Sequence, residues 1–118
     1  MCFIRLLAPV AQLTLAAVIV ICQGAALAAS SEKGKVAFVK HGCWQCHGSV
    51  GQGGVAGPKV APDPMPVAAL SAFLRHTNGP MPPYQEAVLS DGDVADIQAY
   101  LQSIPKPADY KSIPLLNP

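Results

Sequence analysis

Cys43-Trp44-Gln45-Cys46-His47 is the pentapeptide around which the rest of this 118-residue sequence is organised. A Cys-x-x-Cys-His run is the pattern of covalent haem attachment. Two thiols three positions apart lie close together on one helical turn, so both can form thioethers to a single porphyrin edge. The imidazole that follows is then carried over the ring face as an iron ligand. The same two cysteines would also suit a thioredoxin-like redox pair or half of a zinc site.

Outward from the pentapeptide, the N-terminal side reads as a secretory signal. Arg5 provides a short basic region, Leu13 to Ile21 is a strongly apolar run, and Ala26-Leu27-Ala28 is a small-x-small processing site. Residues 1–28 are therefore expected to be a signal peptide and the mature chain to be periplasmic. The competing reading is a retained anchor, because no charge occurs from Leu6 through Ser31 and that length can span a bilayer. A membrane partner is expected only in that case. Cys22 does not make a lipid-attachment site, since Ile21 before it is too bulky.

Cleavage after Ala28 has two consequences. Cys2 and Cys22 leave, so Cys43 and Cys46 are the only thiols of the mature chain. Its seven basic residues (Arg75 and six lysines) then balance seven acidic ones. A formally neutral polypeptide has no basic excess to neutralise phosphates, which argues against nucleic acid as a partner. A domain of this size also needs stabilisation beyond its own apolar side chains. A disulfide closing a two-residue gap gives little, whereas a covalently held haem supplies a large apolar body to wrap.

The pattern predicts three helices and no strand. Ser31 is placed to cap a first helix, Glu32 to about Lys40, on which Gly34 and Phe38 share a face. Gly48 to Gly57 is a glycine-rich loop, followed by a stiff segment punctuated by Pro58, Pro62, Pro64 and Pro66. Pro66 opens a second helix to about Thr77 with an apolar stripe of Val67, Leu70, Phe73 and Leu74. Gly79-Pro80-Met81-Pro82-Pro83-Tyr84 admits neither a helix nor a central strand and restricts Met81 to few positions. Ser90, with Asp93 three residues on, caps a third helix that ends at Ile104 before Pro105. The remaining tail, residues 105–118, reads as extended, with Ile113, Leu115 and Leu116 available for packing.

Taken together, the order of these features resembles a class I c-type cytochrome over nearly the whole mature chain. The resemblance rests on Gly34 and Phe38, Cys43 to His47, Gly57-Pro58, the Met81-Pro82 loop, and a last helix bearing Ile97 and Tyr100. It implies an all-α, small cytochrome c fold, residues 29–104, with three main helices wrapped around one covalent haem c. It implies a close crossing of the first and last helices at Gly34. It assigns Cys43 and Cys46 to attachment, His47 and Met81 to the iron, and the Pro58 carbonyl to the His47 ring N–H.

Other residues compete for the distal position. Met65 also lies between prolines but precedes the middle helix, and His76 sits at a helix end away from the apolar stripe. His41 is too close to the attachment turn to reach the opposite face and reads as a surface residue. Arg75 suits either a haem propionate or a solvated helix face. Trp44 suits either partner docking or packing over the neighbouring loop.

The function implied is single-electron transfer between redox partner proteins, from a dehydrogenase to a downstream cytochrome or oxidase, without enzymatic chemistry of its own. The neutral charge count favours a subunit of a dehydrogenase complex over a shuttle steered by a charged patch. A thiol–disulfide oxidoreductase using Cys43 and Cys46 would instead require strands alternating with helices. A haem sensor or enzyme would require a labile sixth ligand, against which the proline-clamped Met81 argues. Zinc would require a further ligand pair near Cys43, Cys46 and His47, and the sequence offers none.

Overall fold

The computed structural model describes residues 28–116. The expected signal peptide, apart from its last residue, lies outside the described residues. Among the described residues four α-helices follow one another: α1 (Ser31–Lys40), α2 (Trp44–His47), α3 (Val67–Arg75) and α4 (Asp91–Ser103). Among the described residues there is no strand, so the alternation demanded by a thioredoxin-like reading is not met. No helix among them is long and apolar enough to cross a membrane.

The first helix starts one residue earlier than its sequence suggests. Ser30, not Ser31, is the N-cap, its hydroxyl accepting from the Lys33 N–H at 3.3 Å. The deciding contact is remote in sequence. The Ser30 N–H donates to Asp96 Oδ1 at 2.7 Å, which holds Ser30 in an extended conformation at the edge of α4. Helix α4 begins as expected, with both arms of a capping box between Ser90 and Asp93.

The most extensive helix pair is α1 on α4. It buries Gly34, Ala37 and Phe38 against Val94, Ile97, Tyr100 and Leu101. Gly34 is required by this crossing. A Cβ built on it would run into the Asp96 carbonyl and approach Tyr100 Cβ to 2.8 Å. Beside it, the Phe38 and Tyr100 rings pack tilted with centroids 5.7 Å apart. The Tyr100 hydroxyl continues to the Ser49 carbonyl at 3.2 Å, which ties α4 to the turn just after α2.

The tail departs from expectation. Instead of running extended it forms two 3₁₀ turns, Tyr110–Ser112 and Pro114–Leu116, the first capped by Asp109. Leu115 is 94% and Leu116 59% exposed, so neither provides the packing anticipated for it. A proline at each end of a short apolar run favours tight local turns over a strand-like path.

Candidate functional site

The α1–α4 pair forms one wall of a cavity of about 470 Å³, and α3 with the loops around it forms the rest. This cavity brings together Cys43, Cys46, His47 and Met81, together with Pro58, although they come from three separate segments. Its floor is apolar, formed by Phe38, Leu74, Leu89, Ile97 and Leu101, all of them buried except at the cavity surface. A volume of this size with a few convergent polar groups is typical of cofactor sites.

The attachment turn is held from behind. Helix α2 follows directly on Cys43, whose N–H reaches the Phe38 carbonyl at 3.1 Å, so the pentapeptide is tied back to the end of α1 across a turn in which Gly42 has φ 75°. No disulfide joins the two cysteines, of which Cys43 is half-buried and Cys46 exposed. Burial pushes the Cys43 thiol above its ordinary value, the opposite of what a redox-active pair needs.

His47 is oriented by the loop that returns over it. Its Nδ1 lies 2.8 Å from the Pro58 carbonyl. With that nitrogen as the donor, Nε2 carries the lone pair a metal requires. The return is tight because Gly57 passes directly over the attachment turn, where an added Cβ would sit 2.9 Å from the Cys46 carbonyl. The Gly53 N–H also reaches the His47 carbonyl at 2.7 Å, fixing the start of the loop. The proline-punctuated segment then lies along the cavity, contributing Val60, Pro64 and Met65 to its wall.

Met81 is half-buried against the core, in the loop joining α3 to α4. Met65 lines the same cavity but is 49% exposed. His76 is exposed and does not line the cavity; it caps the C-terminus of α3. Trp44 is 45% exposed beside the attachment turn and also lies outside the cavity lining.

Two expectations are corrected. His41 is not a plain surface residue: it is half-buried, packs edge-on to the Tyr84 ring with centroids 6.4 Å apart, and its Nε2 is buried without a hydrogen-bond partner. Arg75 neither lines the cavity nor extends into solvent. Its guanidinium donates to Asp91 Oδ1 at 2.7 Å and to the Tyr84 carbonyl at 3.0 Å. Both corrections come from Tyr84, which the sequence reading passed over. An aromatic with a polar handle directly after Pro82-Pro83 was the available signal.

The family model described as cytochrome c oxidase, cbb3-type, subunit III matches residues 29–101, more than half of the chain. The chain belongs to this family. It is a c-type cytochrome domain with covalently attached haem c. No curated protein and no solved structure matches it.

The residues present fit that group. Two thiols, an imidazole with one nitrogen already engaged and a thioether make a donor set suited to haem iron and its vinyl edge. Phe73 and Met65 on the cavity wall are 46% and 49% exposed, apolar surface that a porphyrin ring would cover. Among the described residues no three His, Cys, Asp or Glu side chains converge to hold a bare metal ion.

Proposed function

We propose that this cytochrome domain is an exported, monohaem electron carrier in which Cys43 and Cys46 form the thioethers and His47 and Met81 are the axial ligands. The observation that carries the proposal is the meeting of these four residues, from segments far apart in sequence, in one apolar cavity. Haem c, when bound there, would supply one-electron transfer between ferric and ferrous iron. The chain's own residues govern how readily it does so.

Pro58 holds the His47 ring through its Nδ1 and raises the basicity of the other nitrogen. Met81 offers a soft sulfur, which favours the ferrous state and a higher potential than a second imidazole would. Phe38, Leu74, Leu89, Ile97 and Leu101 exclude water from the cavity floor and lower the dielectric there. With His47 and Met81 both supplied from within the chain to hold the haem, no substrate would need to coordinate, and the domain would make and break no substrate bond. In the wild type this argues against a sensor or enzyme with a labile sixth ligand.

The family's description supports an acceptor on the oxidase side; the N-terminal signal pattern supports exchange in the periplasm, and a dehydrogenase is proposed as the electron source. Trp44, exposed beside the attachment turn, suits contact with a redox partner. A place within a larger complex predicts co-purification with a catalytic chain from the native host; recovery solely as a free monomer would reverse that preference.

Expression with a c-type maturation system tests the site. The expected haem stays with the polypeptide in acidified organic solvent, and a thioether-to-iron charge-transfer band in the ferric state disappears in Met81→Ala. Haem that extracts freely would overturn attachment at Cys43 and Cys46. Persistence of the band in Met81→Ala would reassign the distal ligand to Met65.

A further inference from the structure

We infer that Arg75 is a positioning residue for the distal ligand: it fixes Tyr84, and through the rigid Pro82-Pro83 spacer it fixes Met81. The inference rests on the reading of Met81 as the axial ligand.

The loop that carries Met81 has almost no hold of its own. Among the described residues, no backbone–backbone hydrogen bond involves residues 77–83. Prolines at positions 80, 82 and 83 remove three donors from the stretch. The first fixed point beyond Met81 is Tyr84, and three bonds converge on it. Its N–H donates to the Leu74 carbonyl at 2.9 Å, its carbonyl accepts from Arg75 Nη1 at 3.0 Å, and its hydroxyl donates to the His41 carbonyl at 2.9 Å.

Arg75 is the member that links this point to the start of α4. Asp91, the first residue of α4, holds the guanidinium through Oδ1 at 2.7 Å, and the same oxygen accepts from Ser71 Oγ at 2.7 Å. The side chain of Arg75 is 18% exposed and that of Asp91 64%, so the ion pair is open to screening on its carboxylate side while the bond to the Tyr84 carbonyl is partly buried. The planar fork is what lets one side chain serve a carboxylate and a carbonyl together. It thereby joins α3, the Met81 loop and the start of α4.

Stiffness transmits the constraint. Pro82 and Pro83 have fixed φ, so the three-residue step from Tyr84 back to Met81 has little freedom to absorb a displacement. A flexible spacer would let Tyr84 move while the sulfur stayed in place. Here the Met81 backbone has to follow, and with it the point from which the sulfur reaches.

Competition by free imidazole for the ferric iron reads the hold on Met81 directly. Binding is measured by absorbance on the matured, haem-loaded domain, and global stability by guanidinium unfolding of the same samples. Arg75→Ala is expected to raise apparent imidazole affinity at least tenfold. Arg75→Lys, which keeps the charge but loses the fork, and Asp91→Asn are expected to fall between Arg75→Ala and wild type. These two also carry the test if Arg75→Ala does not mature. Tyr100→Phe loses the bond to Ser49 and is expected to lower the unfolding midpoint without changing imidazole affinity.

Met81→Ala should bind imidazole most tightly of all. If it binds no better than wild type, the ligand reading itself fails and the inference goes with it. If Met81→Ala tightens while the Arg75 and Asp91 variants match wild type, only the positioning role is overturned. Equal tightening in Tyr100→Phe and Arg75→Ala would mean general loosening, and would also overturn it.

Discussion

Gly34→Ala sets two elementary effects against each other, and the structure decides between them. Helix propensity alone predicts a gain of about 1 kcal/mol, since alanine loses less conformational entropy than glycine. The α1–α4 crossing predicts a loss. The added methyl would meet the Asp96 carbonyl, a backbone group that cannot rotate aside, and would crowd Tyr100 Cβ. Relief requires α1 to lift off α4, at about 1–3 kcal/mol for an overpacked core. Lifting also stretches the 2.7 Å bond from the Ser30 N–H to Asp96, a charge-assisted contact of about 1.5 kcal/mol.

A net loss of about 1.5–3.5 kcal/mol follows, or about 6–28 °C in Tm for a domain of this size. Gly92→Ala is the matched control. Gly92 is also helical, in the first turn of α4, but its added Cβ would make only ordinary contact with Ser90 Oγ at 3.6 Å. That variant should match wild type or gain up to about 1 kcal/mol. Thermal unfolding of the haem-loaded domain, followed by far-UV circular dichroism, separates the two. A Gly34→Ala protein that melts at or above wild type would refute the close-crossing argument.

Three further outcomes follow from single contacts. The Ser71 hydroxyl and then Arg75 hold the Asp91 carboxyl below its ordinary value of 3.8. Its contribution is therefore complete above that value and is lost as pH falls through the lower folded pKa. The urea midpoints of wild type and Asp91→Asn should stay a constant distance apart above about pH 5 and converge below pH 4; a gap unchanged down to pH 2 would remove this assignment. Gly57→Ala should push the Pro58 carbonyl away from His47, because the new methyl meets the Cys46 carbonyl at 2.9 Å; a reduction potential that remains at the wild-type value in a matured sample would count against that link. Lys106→Ala should change unfolding free energy by less than about 0.5 kcal/mol, because its 3.7 Å pair with Asp63 is exposed on both sides, and a larger loss in chemical denaturation would show the tail to be docked.

Much of the candidate site was legible because it is locally encoded. The Cys43 to His47 spacing, the Ser90–Asp93 capping box and the proline clamp on Met81 all act within a few residues, where covalent geometry limits the options. The relation of His47 to Pro58 was legible only by resemblance, since eleven residues of loop separate them. What Arg75 touches was not legible. An arginine at a helix end looks the same whether it faces solvent, a propionate or a neighbouring helix.

By itself, then, the sequence determined the three longer helices of the domain and the attachment turn, through capping, period and spacing, whereas the roles of His47 and Met81 toward the iron are what the family resemblance implies. The tertiary structure alone decided which serine caps α1, because Asp96, sixty-six residues away, selects Ser30. It also decided that His41 lies under Tyr84, that the tail forms two 3₁₀ turns, and that Arg75 joins α3, the Met81 loop and α4. The physical reason is the same in each case. Side-chain partners brought close by chain folding depend on how helices cross and loops close, and a linear pattern of residue types does not specify those distances.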